Sequence, residues 1–148
     1  MTDPTSQLAA DLHEVLGQLR RRLRAQADHG ELTASQMHVL RRLELEGPAT
    51  ATTLARAAGV RPQSMGATVG VLLAAGMISG APDPADGRQT LLSITPASRK
   101  WLKDGRAAKQ DWLLHALQDQ LSAREQQELA RAVALLRRVA AQPAGAAA

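Results

Sequence analysis

The 148-residue chain contains no cysteine, no phenylalanine and no tyrosine, and its aromatic content is limited to Trp101 and Trp112. Without cysteine there is no disulfide, no thiolate nucleophile and no thiol-based redox sensor. A hydrophobic content of 45%, much of it alanine and so poor in aromatics, suits closely packed helices and argues against a β-sandwich. No segment approaches the roughly eighteen apolar residues of a membrane span. The opening residues Met1 to Gln7 carry neither a basic stretch nor an apolar run, so no secretory signal is expected and the reading is a cytoplasmic protein. Gly-rich phosphate loops, a Gly-x-Ser-x-Gly elbow and a His-Glu-x-x-His pair are all missing, so the chain does not read as an enzyme. His13, His29, His38 and His115 are scattered, and local pairs such as His13–Glu14 and Asp111–His115 supply at most two ligands. No metal and no cofactor are expected.

The most informative absence is local. From Gly47 to Pro82, thirty-six residues include Arg56 and Arg61 but no Asp or Glu, although the whole chain has fourteen acids. A surface that lies against phosphate needs positive charge and cannot tolerate carboxylates in the contact zone. A net charge of +4 and a pI near 10.6 fit an anionic partner. At this length the chain is one domain by size, large enough for a real core.

What is present reads as helices. Leu8, Leu12, Val15, Leu16, Leu19 and Leu23 recur at spacings of three and four, one apolar stripe of a first helix. Arg20, Arg21, Arg22 and Arg24 crowd its later turns, either as a solvated face favoured by the helix dipole or as an anion contact. Residues 28–31 break that helix. Thr33 with Gln36 forms a capping box and Leu32 a staple for a second helix, which turns Met37, Leu40 and Leu43 inward and ends near Gly47-Pro48. A short helix with Leu54, Ala55 and Ala58 stops at Gly59, suited to a left-handed turn. Pro62 restarts the chain at the favoured first helical position. The following helix, to about Ala75, buries Met65, Val69, Leu72 and Leu73. Its other side shows Gln63, Ser64, Ala67, Thr68 and Val71, small or hydrogen-bonding side chains that a major groove admits. An alanine-rich helix–helix contact would read the same way.

After Gly76 the period changes to two. Met77-Ile78 and Thr90 to Thr95 are expected to pair as a hairpin, with Leu92 and Ile94 on the buried face and a loop from Ser79 to Gly87. Arg88, the one basic residue on it, is placed to enter a minor groove. Asp83 and Asp86 either pair with that arginine and hold it or serve ordinary turn chemistry.

Helix-turn-helix followed by a hairpin is a winged helix, and the chain resembles the MarR (multiple antibiotic resistance regulator) family of bacterial transcription factors. The resemblance is carried by Leu32-Thr-Ala-Ser-Gln36, Leu54-Ala55, Gly59-Val60-Arg61-Pro62, Leu72 to Ile78, Asp83-Pro-Ala-Asp-Gly-Arg88, Ile94-Thr95 and Leu121-Ser-Ala-Arg-Glu125, in the family's order. Departures lie on the DNA-facing side. Arg61 stands where a serine often caps the recognition helix, Gly66-Ala67 where a polar and a basic residue are common, Gly80 where an arginine usually follows the strand. Gly87 stands in a wing that often reads Asp-Arg-Arg, and Ser98 replaces a common glycine.

The expected fold is therefore mainly α with a small β-hairpin wing: a winged helix-turn-helix over 32–95, an N-terminal dimerisation helix over 1–31, C-terminal dimerisation helices over 96–141 and a flexible tail over 142–148. Pro96 begins a helix to about Gln118, and Ser122 with Glu125 caps a last helix striped by Leu129, Val133, Leu136 and Ala140. These stripes are most economically covered by a second copy. A two-fold dimer places two recognition helices about 34 Å apart on a palindromic operator. The function expected is a homodimeric regulator binding double-stranded DNA, a repressor. Arg61 would hold phosphate, Gln63, Ser64, Ala67 and Thr68 would face the bases, and Arg88 the minor groove. The resemblance further implies DNA release on binding a small, aromatic or phenolic effector, in a pocket lined by Arg20 or Arg24, Met37 or His38, and Trp101. Met37 and Trp101 read equally as core. The alternative function is a helical dimer that keeps the fold but works as a small-molecule or protein-binding module.

Overall fold

The computed structural model describes residues 3–27, 32–143 and 145. The expected helix break at 28–31, with His29, and the end of the expected tail lie outside the described residues. The elements are α1 (Pro4–Gln26), α2 (Ala34–Glu46), β1 (Ala49–Thr50), α3 (Ala51–Ala58), α4 (Pro62–Ala74), β2 (Ile78–Pro82), β3 (Thr90–Ile94), α5 (Pro96–Gln120) and α6 (Ala123–Ala140).

Helix starts follow local side-chain chemistry. In the Thr33–Gln36 box, the Gln36 amide donates to Thr33 Oγ1 at 3.2 Å and the Thr33 amide to Gln36 Oε1 at 3.0 Å. Ser122 and Glu125 build the same reciprocal box at α6. Thr50 caps α3, Thr95 caps α5, and the Asp3 carboxylate accepts from the Thr5 amide at the start of α1. Gly59 closes α3 in the left-handed conformation (φ 65°, ψ 29°), donating to the Ala55 and Arg56 carbonyls. That turn sets the angle between α3 and α4.

One core holds the middle of the chain. Val39, Leu40 and Leu43 of α2, Leu54 and Ala55 of α3, and Met65, Val69 and Leu72 of α4 pack with Ile78, Leu92 and Ile94 of the sheet. Leu102 joins from α5, with Trp101 half-buried beside it. Leu73, expected inward, is 40% exposed: it lies about 100° around the helix from Leu72, off the buried face. Met37 is half-buried at the core margin, and Val39 is buried in its stead.

The sheet has three antiparallel strands in the order β1-β3-β2. The two-residue β1, pairing Ala49 with Leu92 and Thr50 with Leu91, is too short to show any period in sequence. β2 continues to Pro82 opposite Thr90, so the wing loop is only residues 83–89. Gly80 lies opposite Leu92, and a Cβ there would stand 2.7 Å from Thr90 Cγ2, so any larger residue would require the Thr90 side chain to shift. Ile78 and Ile94 face each other on the buried side.

The result is a three-helix winged unit flanked by long helices. α1 packs along α5, yet neither α1 nor α6 contains a buried residue. Leu8, Leu16, Leu135 and Val139 are all at least half exposed.

Candidate nucleic-acid interface

The surface opposite the core side of α4 follows from helical geometry. Met65, Val69 and Leu72 are buried, so Gln63, Ala67, Gly70 and Ala74, about half a turn away, face outward and are exposed. Ser64 is exposed on the flank. Thr68 is half-buried, and its hydroxyl donates to the Ser64 carbonyl at 3.1 Å, so its proton is already committed within the helix. Arg61 is the exposed N-cap and makes no side-chain cap, leaving the first-turn amides of α4 without a side-chain partner. Those amides and the helix dipole favour an anion at this end.

The wing is held by its aspartates in a different way from the expected ion pair. Asp83 Oδ1 accepts from the Ala85 amide at 3.0 Å, and Asp86 Oδ1 from the Arg88 amide at 3.1 Å. The Asp83 amide donates to the Gln89 carbonyl, and the Gln89 amide to the Asp86 carbonyl, at 2.9 and 3.0 Å. No carboxylate lies within 4.0 Å of the Arg88 guanidinium among the described residues. A side chain as short as aspartate reaches its own loop's amides two residues on before it reaches an arginine head. Asp83 and Asp86 therefore shape the wing, and Arg88 is left exposed with its charge unneutralised.

A second feature is a broad open cleft of about 1800 Å³ between α1, α2 and α5. Arg20, Arg24, Met37 and His38, all expected here, line it; Trp101 does not, and packs against the core. Sequence reading missed Arg41 and Lys109, which line it from α2 and α5, because no local pattern reveals which face of α5 meets α2. None of Arg20, Arg21, Arg24, Arg41 and Lys109 is ion-paired to a described carboxylate, and Glu14 is the one acid among the described lining residues. Partial burial, followed by repulsion from Arg41, Arg24 and Arg106, holds the Lys109 ammonium below the ordinary lysine range. Beside the cleft, Arg106 forms a two-pronged pair with Glu44, at 2.7 and 3.1 Å, which ties α5 to α2. The Asp111–His115 pair is a local helix contact, with Nδ1 of His115 2.9 Å from the Asp111 carbonyl oxygen.

Residues 31–89 match the model of the MarR family. A helix-turn-helix-type transcriptional regulator of Mycobacterium bovis is 36% identical over 117 residues, 79% of this chain and 82% of that one. The chain belongs to the MarR family. It is a helix-turn-helix regulator of transcription with DNA as its partner, and such regulators are not enzymes. Across 97% of this chain and 100% of the other, a crystal structure of a putative transcriptional regulator from Pseudomonas aeruginosa is 32% identical, with a TM-score of 0.83. The fold also matches S. aureus MepR bound to an oligodeoxyribonucleotide, at 18% identity over 89% of this chain and 97% of that one, with a TM-score of 0.71.

Within this MarR-family fold the surroundings of the departing positions differ. Ser98 is the one buried polar residue among the described residues, its hydroxyl 2.9 Å from that of Thr95. At Gly80 a Cβ would need the Thr90 methyl to move. Gly66 and Gly70 are different: a Cβ at either would meet nothing within 4 Å, so no contact inside the chain requires a glycine there. Among the described residues no helix is long and apolar enough to cross a membrane.

Proposed function

We propose that this MarR-family protein is a homodimeric repressor on a palindromic operator, and that a small anionic effector lowers its DNA affinity. The observation that supports specific DNA binding is the acid-free, exposed surface of α3 and α4, with Arg61 at the helix start and an unpaired Arg88 on the wing. Arg61 holds phosphate, Gln63 and Ser64 meet base edges, Ala67 allows close approach, and Arg88 enters the minor groove. Thr68 contributes its methyl and a lone pair rather than a donated proton. Dimerisation is supported by the exposed apolar stripes of α1 and α6.

The effector reading rests on the cleft. Five cations that pair with no described carboxylate, set among Leu16, Leu19, Leu23 and Met37, suit an anion with an apolar body. With Trp101 on the core there is no phenyl or indole ring on the lining, so charge rather than stacking carries recognition. An anion beside Lys109 relieves the repulsion that disfavours its protonated form.

The test is anisotropy titration against a labelled duplex from upstream of the protein's own gene, at several salt concentrations, beside a scrambled duplex and Arg88→Ala. The expected result is a preference of about a hundredfold or more for the native duplex, weakened by Arg88→Ala with a salt slope shallower by about one. Equal, weak binding to native and scrambled duplexes that ignores Arg88 would count against this operator and favour the non-DNA role. A screen of carboxylate and phenolate compounds for release, repeated with Lys109→Met, tests the effector; undiminished release by that variant would remove the cleft from the proposal.

A further inference from the structure

The recognition helix of a DNA-binding protein can read only what its outward side chains can bond. Arginine or lysine is the common partner of guanine, aspartate or glutamate of cytosine, asparagine or glutamine of adenine, and methyl groups of the thymine methyl. From Pro62 to Ala74, α4 has no arginine, lysine, aspartate, glutamate or asparagine. Its single amide, Gln63, stands exposed on the outward face. Around it are Ala67 and, 51% exposed, Val71, both ending in methyl groups. Ser64, exposed on the flank, offers a hydroxyl that bonds any base edge and so sets no preference, and Thr68 adds no further donor, since its hydroxyl proton is given to the Ser64 carbonyl.

Resting on the DNA-binding reading above, we infer that α4 reads A·T pairs: Gln63 bonds N6 and N7 of one adenine, and Ala67 and Val71 contact the methyl groups of neighbouring thymines. The wing works in the same direction. No described carboxylate pairs with the Arg88 guanidinium, and the minor groove concentrates negative potential where A·T tracts narrow it. Arg61, at the helix cap, is placed for phosphate at the helix N-terminus and supplies affinity without base preference. The operator half-site is thus A·T pairs under α4 and an A·T tract under the wing, a class set by the side chains α4 lacks as much as by those it has.

The experiment is selection of duplexes from a random library by the full-length protein, followed by base-analogue titrations on the winning site. Enriched half-sites should carry A·T pairs at the α4 positions. Replacing the contacted adenine by 7-deazaadenine should weaken wild-type binding about five- to 150-fold. It should have little further effect on Gln63→Ala, whose exposed side chain can be truncated without touching the core. Replacing thymine by deoxyuracil should weaken the wild type more than Val71→Ala. Enrichment of G·C pairs at these positions, or an equal 7-deazaadenine penalty in wild type and Gln63→Ala, overturns the inference while leaving specific DNA binding intact. No enrichment over the starting library overturns the inference together with the DNA-binding reading beneath it.

Discussion

Thr95 concentrates more structure than any other single hydroxyl among the described residues. Its Oγ1 lies 3.2 Å from the Gly76 and Met77 carbonyl oxygens and 2.9 Å from the Ser98 hydroxyl, and accepts from the Ser98 amide at 3.3 Å. One side chain thereby caps α5 and fastens it to the turn leaving α4. Thr95→Val keeps the shape and removes the hydroxyl, stranding the buried Ser98. The expected loss is about 1–2 kcal/mol in urea unfolding, with a lower midpoint and an unchanged slope. Sequence reading placed Thr95 at the end of the hairpin; that it also fastens the start of α5 to the turn after α4 depends on atoms nineteen residues apart in the chain.

At the scale of elements, α4 shows local stability set against surface shape. Gly70 sits in the helix with open space where a Cβ would be, so Gly70→Ala should raise unfolding stability by up to about 1 kcal/mol. The same methyl would stand on the outward face beside Gln63 and Ala67 and hold DNA away. Thermal melts and anisotropy together should show a more stable protein that binds its operator more weakly. A gain in stability with undiminished binding would place Gly70 outside the contact. The wing teaches a related lesson. Its aspartates were legible as turn residues and as arginine partners alike, and only the loop's closure, with Asp83 and Asp86 bonded to the Ala85 and Arg88 amides, decided between them.

For the whole molecule, the apolar surface of α1 and α6 is the dominant unpaid debt of the isolated chain. Leu129 and Val133 are 38% and 40% exposed on a helix with no buried residue. In the proposed homodimer a second copy covers this surface, which would make stability depend on protein concentration. Sedimentation of the wild type should give twice 15.7 kDa, and Val133→Glu with Leu129→Glu should reduce it to 15.7 kDa. The unfolding midpoint of that variant should no longer rise with concentration. Its operator binding should weaken steeply, because one recognition helix engages one half-site.

The sequence by itself determined the helices, their starts and stops, and the winged order, because capping boxes, the Gly59 turn, Pro62 and the change of period at Gly76 act over a few residues. It also determined the acid-free face, since an absence of charge along a segment needs no coordinates to be seen. Tertiary structure decided what depends on distant segments meeting. It added β1 to the sheet, turned Leu73 outward and put Trp101 on the core. It also brought Arg41 and Lys109 into a cleft with the arginines of α1, where burial and mutual repulsion of cations give Lys109 a property that no local pattern encodes.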